Sequence, residues 1–222
     1  MKIYKLFLMV FLIACIFGLS NANAAGLGFY GTGGLGTADW TVDSGYYSIP
    51  NFKKDTNHLG LGLALDTAPA RDNLFNYHLN IGYDRFTHKG GGAWGTADFE
   101  GILLSNNFGF GALINPTTRL WFGPEVRLEW AEGSPKQYPD YKIHLFGIGI
   151  GPVLGLNFNL GENHTIVVKA GFQYLHYYGE GSGSFAHTTN SQSTYSNSYD
   201  YDVTEKLYYV SLEFLFRTSG DR

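Results

Sequence analysis

Between Phe146 and Phe158 the chain alternates with a period of two. Phe146, Ile148, Ile150, Pro152, Leu154, Leu156 and Phe158 share one parity, and Gly147, Gly149, Gly151, Val153, Gly155 and Asn157 share the other. Side chains that segregate every second residue define a strand, because a helix would repeat near 3.6. The run is long enough for the roughly 9–11 residues that a tilted strand needs to cross a bilayer.

The same pattern recurs along the chain. Leu59, Leu61, Leu63 and Leu65 alternate with Gly60, Gly62 and Ala64. Phe75, Tyr77, Leu79, Ile81 and Tyr83 alternate with polar or small residues, as do Ile166, Val168, Ala170, Phe172 and Tyr174. Leu120, Phe122, Val126, Leu128 and Trp130 form a further set, and so do Tyr208, Val210, Leu212, Phe214 and Phe216. Two less regular strands are expected near 26–42 and 94–113, with register ambiguous around Ser105-Asn106-Asn107, where a bulge is the expected cause. Pro124 and Pro152 fall inside strands, each after a Gly. Proline lacks a ladder donor, so local bulges are expected there too.

The pattern predicts an all-β fold, an antiparallel up-and-down transmembrane β-barrel of about eight strands. Connectors near 67–73, 115–117 and 161–164 are short, whereas loops are expected near 43–57, 89–93, 131–141 and 180–205. The 89–93 loop is short where the alternation calls for a long one. Short turns belong on the periplasmic side of such a barrel and long loops outside, which places both termini in the periplasm.

Composition agrees. The 222 residues include 30 Gly, 17 Phe and 16 Tyr, with 17% aromatic and only 15% charged residues. Mean hydropathy is −0.11. That value excludes a bundle of membrane helices but suits strands with one greasy face. A soluble secreted sandwich or lipocalin-like barrel competes with this reading, yet it would not need leucines and aromatics on its outer face. The first 24 residues read as a cleaved signal: Lys2 and Lys5, an apolar run to Leu19, then Ala22-Asn23-Ala24. A second reading takes Leu12-Ile13-Ala14-Cys15 as a lipobox. Residues 25–222 form the barrel domain. Net charge is −4 without a basic run in the mature chain, so no nucleic-acid partner is expected. The single Cys leaves no disulfide or Cys-based metal site.

If the large apolar parity meets lipid, the other parity fills the lumen. The implied lumen carries Asp84, Glu125, Glu129 and Glu213 against Arg119, Arg127, Lys169 and Arg217. Charges belong inside because Arg or Lys on the lipid face at mid-bilayer costs ~2–4 kcal/mol. The network reads as a salt-bridged plug or as a narrow ion path, and the many lumen glycines leave room for water in the second case. Tyr83, Phe86, Trp94, Trp121, Trp130, Tyr174, Tyr177, Tyr178 and Tyr208 mark expected interfacial girdles. His58, His88, His144, His176 and His187 are expected at the outer rim as polar residues. No pair has tight ligand spacing, so neither a metal site nor a cofactor is expected.

The Gly-rich first strand Leu27-Gly28-Phe29-Tyr30-Gly31, the Gly-Pro strands and the last strand ending at Phe216 resemble the small eight-stranded outer-membrane barrels. That superfamily includes the outer membrane protein A transmembrane domain, the X- and W-type proteins and the opacity-like proteins. Six residues follow Phe216, where the family pattern usually ends. The resemblance implies residence in a Gram-negative outer membrane among lipids and lipopolysaccharide. It also implies handling by periplasmic chaperones and the barrel-assembly machinery, and roles as adhesins, channels, complement-resistance factors or envelope stabilisers.

Other motifs carry less. Gly31-Thr32-Gly33-Gly34-Leu35-Gly36 fits a dinucleotide fingerprint, but strand rather than helix follows it. Asn163-His164-Thr165 is a sequon in an expected periplasmic turn. A lipid A deacylase would carry Ser where Leu175-His176-Tyr177-Tyr178 has Tyr178. The Ser-, Thr-, Asn- and Tyr-rich segment 181–202 suits an adaptable surface for a host or glycan ligand. The sequence therefore points to a non-enzymatic surface barrel serving envelope integrity or adhesion, with a narrow channel and a lipid A-modifying enzyme as alternatives.

Overall fold

The computed structural model describes residues 26–43, 48–70, 73–90, 95–185 and 195–217. The signal segment, Trp94 and His187 lie outside them. Eight strands run β1 (Gly26–Asp43), β2 (Ser48–Asp66), β3 (Phe75–Lys89), β4 (Ala97–Asn115), β5 (Thr118–Pro135), β6 (Lys142–Leu160), β7 (His164–Phe185) and β8 (Tyr195–Arg217). Each pairs antiparallel with the next, and β8 closes onto β1 from Gly26↔Arg217 to Asp43↔Asp200. Closure leaves no strand edge open within the lipid zone, where an unpaired backbone group would cost several kcal/mol. At the inner end, β4 and β5 are joined through a turn in which Asn115 Oδ1 accepts the Thr117 N–H at 2.9 Å. Gly161 opens the β6–β7 turn at φ +64°, a left-handed conformation that suits glycine.

The alternating residues segregate as the pattern predicts. Leu61 (64% exposed), Phe122 (64%), Ile150 (61%) and Leu212 (58%) project outward, while Asp84, Arg119 and Glu129 are fully buried. The outward apolar belt stops abruptly. Beyond Tyr83, Ile102, Trp130, Phe146 and Tyr208, the next outward residues on the same strands are Arg85, Glu100, Glu132, His144 and Lys206, all exposed. Tyr83, Trp130, Tyr174, Tyr178 and Tyr208 project outward among this boundary zone, as a girdle requires. Phe86, Trp121 and Tyr177 do not: all three are fully buried inside. They share the lumen parity of their strands, which aromatic identity alone does not reveal.

Above the belt the strands continue, and the two parities exchange roles. The outward side turns ionic, and the inward side becomes an apolar core of Trp40, Val42, Phe86, Phe99, Tyr141, Ile143, Leu145, Leu175, Tyr177, Val203 and Leu207. Much of the chain expected as loop is therefore strand. Ser48–Lys54 belongs to β2, 131–135 to β5, 180–185 to β7 and 195–205 to β8. The outward apolar signal that marks a lipid-facing strand is missing there because no lipid faces it.

The expected bulges are absent at both prolines and at Ser105–Asn107. Pro124 and Pro152 face each other across β5 and β6 in an unbroken register. On their far sides the ladder skips two positions, between Asn107↔Glu125 and Phe110↔Phe122 and between Ile150↔Tyr174 and Val153↔Gly171, and resumes in register. The missing donors cost local pairing without inserting a residue. Ser105, Asn106 and Asn107 pair regularly with Arg127, Val126 and Glu125. Asn106 points outward among apolar residues, and the Tyr77 hydroxyl donates to its Oδ1 at 2.6 Å. Register shifts fall instead at Trp40/Val42 and Leu113/Asn115.

Ile150→Arg places a charge on the middle of the belt and is expected to cost ~2–4 kcal/mol. Urea unfolding of the barrel in lipid vesicles, followed by tryptophan fluorescence, measures it. The same substitution at exposed Thr37, above the belt, is expected to change stability by less than about 0.5 kcal/mol.

Candidate functional site

The lumen holds two ionic layers. In the upper layer, Arg127 on β5 reaches Asp84 on β3 at 2.5 Å and Glu129 at 3.0 Å through Nη2. The Tyr177 hydroxyl donates to the same Glu129 oxygen at 3.0 Å. His58 on β2 lies between two carboxylates, with Nδ1 2.9 Å from Asp84 Oδ2 and Nε2 2.9 Å from Glu205 Oε1. Thr56 donates to Glu205 Oε1 at 2.5 Å. The Trp40 indole N–H donates to His88 Nδ1 at 3.0 Å, and His88 Nε2 faces Glu205 Oε2 at 3.5 Å. Lys54 sends its ammonium outward to the Gly95 carbonyl and over the Trp40 ring.

In the lower layer, Lys169 on β7 and Glu213 on β8 lie 2.5 Å apart, and Asn80 donates to Glu213 at 2.9 Å. His78 sits 3.1 Å from Asp66 and 3.7 Å from Glu213, with its ring stacked on Trp121. Trp121 donates to Asn157, which donates to Asp66. Between the layers, Glu125 accepts from Ser105 at 2.5 Å and from Tyr209. Arg119 lies at the inner end and donates to the Ala68 and Asn73 carbonyls, fastening the β2–β3 turn. Arg217 lies at the inner mouth, on the Gly161 carbonyl.

Of the eight charged residues that sequence parity proposes, Asp84, Arg127 and Glu129 thus form one cluster and Lys169 and Glu213 another. Glu125 lies between the clusters, and Arg119 and Arg217 clasp turns instead. His58 and His88 are not rim residues: His58 is 5% exposed and His88 fully buried. They hang on the inward parity of β2 and β3, which the outward leucines of β2 already fix. His144 is exposed beside Glu132. Glu205 lay hidden in an expected loop, and only the upward extension of β8 brings it over the lumen.

Among the described residues the interior is closely packed. A Cβ on Gly147 would meet the Tyr177 ring at 2.5 Å, and one on Gly155 the Trp121 ring at 2.2 Å. These glycines make room for large aromatics from neighbouring strands rather than for water. The cavity between the layers, lined by Tyr30, Ser105, Glu125, Arg127 and Lys169 among others, holds about 10 Å³, scarcely one water. The outer end is shut by the apolar core, where the Tyr201 hydroxyl donates to that of Tyr141 at 3.1 Å. Burial pushes the Tyr141 phenol up to about 12.

On the outer wall just above the belt, His176 Nδ1 lies 3.2 Å from the Thr204 hydroxyl and Nε2 3.5 Å from Asp202. A hydroxyl and a carboxylate thus flank one imidazole.

A closed antiparallel ring of eight strands, greasy outside and ionic within, defines a transmembrane β-barrel of the outer-membrane type. Comparison of structures agrees. The fold is similar to the outer membrane protein OprG from Pseudomonas aeruginosa, with 13% identity, a TM-score of 0.58, and coverage of 89% of this chain and 98% of that one. Ail of Yersinia pestis, solved with the heparin analogue sucrose octasulfate, matches at 14% identity and a TM-score of 0.35, over 86% and 99% of the two chains. Neisserial surface protein A matches at 14% identity and a TM-score of 0.35, over 82% and 95%. The sequence matches no established family profile and no curated protein.

Arg127→Met strands Asp84 and Glu129 without their shared cation. Removing one partner of a buried pair typically costs ~3–5 kcal/mol, and a loss of that size is expected in urea unfolding. Adding Asp84→Asn and Glu129→Gln to the same chain is expected to restore much of it.

Proposed function

We propose that this barrel is a non-enzymatic surface protein of the outer membrane, closed to solutes, that acts through its outer end in adhesion or recognition. The observation that carries this reading is the packed head above the belt. A barrel that only had to anchor itself would not need strands of 22 and 23 residues in β7 and β8. Their upper parts stay paired as far as Phe185↔Tyr195, well above the belt. The Ser-, Thr-, Asn- and Tyr-rich composition of 181–202 suits contact with a host surface or glycan. The filled lumen argues against the channel reading.

Bacteria in which 186–194 is exchanged for a Gly-Ser linker are expected to bind host cells or immobilised glycans no better than cells lacking the protein. Unchanged binding, with detergent sensitivity on deletion of the whole gene, would assign envelope stabilisation instead. Purified barrel is expected to show no steady conductance steps in planar bilayers.

A second reading rests on His176, Thr204 and Asp202, which bring the imidazole, hydroxyl and carboxylate of an acyl-transfer site together at headgroup level with the roles of the two ring nitrogens exchanged. Release of fatty acid from lipopolysaccharide by purified barrel, abolished by His176→Ala and by Thr204→Val, would establish it.

A further inference from the structure

His58 on β2, His88 on β3 and Glu205 on β8 meet where the ionic lumen gives way to the apolar head. We propose that they bind one first-row divalent transition ion, such as zinc. Their ligand atoms all lie within 4.8 Å of one another. Ligands held about 2.0–2.2 Å from a tetrahedral zinc stand about 3.3–3.6 Å apart. His58 Nε2 stands 2.9 Å from one Glu205 oxygen and His88 Nε2 3.5 Å from the other, so the carboxylate presents an oxygen to each imidazole at close to that spacing. Two imidazoles and a carboxylate suit zinc, cobalt or nickel over magnesium or calcium.

Three further observations support a cation here. His88 Nε2 and Glu205 Oε2 are buried without a hydrogen-bond partner among the described residues, and each faces the other. The outer shell is in place: Asp84 holds His58 Nδ1 and Thr56 holds Glu205, as carboxylates and hydroxyls do behind metal ligands. Charge also calls for it. Asp84, Glu129 and Glu205 set three carboxylates against Arg127 and against His58, both of whose ring nitrogens face a carboxylate and so carry protons, leaving one negative charge in the cluster. The alternative grouping of His58, Asp84 and Glu129 is already served, because Arg127 contacts both of its carboxylates.

One group opposes the ion. The Trp40 N–H donates to His88 Nδ1, which leaves the His88 proton on Nε2. Coordination through Nε2 moves that proton to Nδ1, where it confronts the indole N–H. It also displaces the proton shared by His58 Nε2 and Glu205. Trp40 is therefore a competitor of the metal, and its removal strengthens the site.

The test uses the mature barrel refolded in detergent with CoCl₂ or ZnCl₂, since a buried site loads during folding. His144, His164, His176 and His187 are replaced by Ala, which leaves buried His78 as the one imidazole outside the site. About one ion per chain is expected after gel filtration, with the d–d absorption of tetrahedral cobalt. Glu205→Gln and His88→Phe are expected to abolish both signals, and His88→Phe suits the aromatic surroundings of Phe86 and Phe99. Thr56→Val is expected to weaken binding about 10–100-fold. Trp40→Phe is expected to tighten it. Heat-modified mobility in gel electrophoresis reports folding of every variant. A folded barrel that takes up no cobalt, or one in which folded Glu205→Gln binds as well as the parent, overturns the proposal. Weaker binding by folded Trp40→Phe overturns coordination through His88 Nε2.

Discussion

A polypeptide that crosses hydrocarbon as strands has to satisfy every backbone N–H and C=O within the sheet, so the sheet must close. In this chain closure brings β8 back to β1 over the full length of β1. Everything else follows from that ring. Eight strands enclose a space only as wide as side chains, so every inward residue is desolvated by its neighbours across the lumen. A charge placed there must find a partner, and Arg127, Lys169, His58 and His78 each lie against one or two carboxylates drawn from other strands. The ionic layers are thus a consequence of closure, and their strand-to-strand contacts in turn hold the ring's cross-section.

The same constraint has two solutions along the barrel axis. Next to acyl chains the apolar parity must face out, leaving polar residues to pair inside. Beyond the acyl chains water takes over the outer surface, and the ring then resembles a soluble barrel, with Trp40, Phe99, Ile143 and Val203 gathered inside. The exchange happens from one outward position to the next, two residues on, on several strands, from Tyr83 to Arg85 and from Tyr208 to Lys206.

That exchange explains what the sequence discloses. Leu59 to Leu65, Phe146 to Phe158 and Tyr208 to Phe216 announce their strands because lipid selects large apolar residues at every second position. Above the belt Lys53, Asp55, Asn57, Thr204 and Lys206 look like loop, although their strands are unbroken. Parity alone located Asp84, Arg127, Glu129, Lys169 and Glu213 inside. It could not say which would pair, since partners sit on strands far apart in the chain. Polar residues near a strand end suggest a rim when the strand is taken to stop there, so the sequence places His58 and His88 at the rim although both lie inside. The β6 glycines were ambiguous for another reason: space left by Gly147 or Gly155 is filled by Tyr177 or Trp121, and nothing local in the sequence shows that.

The head above the belt gives the barrel a direction. Its ring of Asp55, Arg85, Glu100, Glu132 and Lys206 is fixed outward by a rigid interior, so these charges cannot tuck away. Sliding the barrel toward the periplasm would drag them all through oil together. The inner turns, by contrast, are slim. The molecule is shaped like a rivet, wide and charged at one end and narrow at the other.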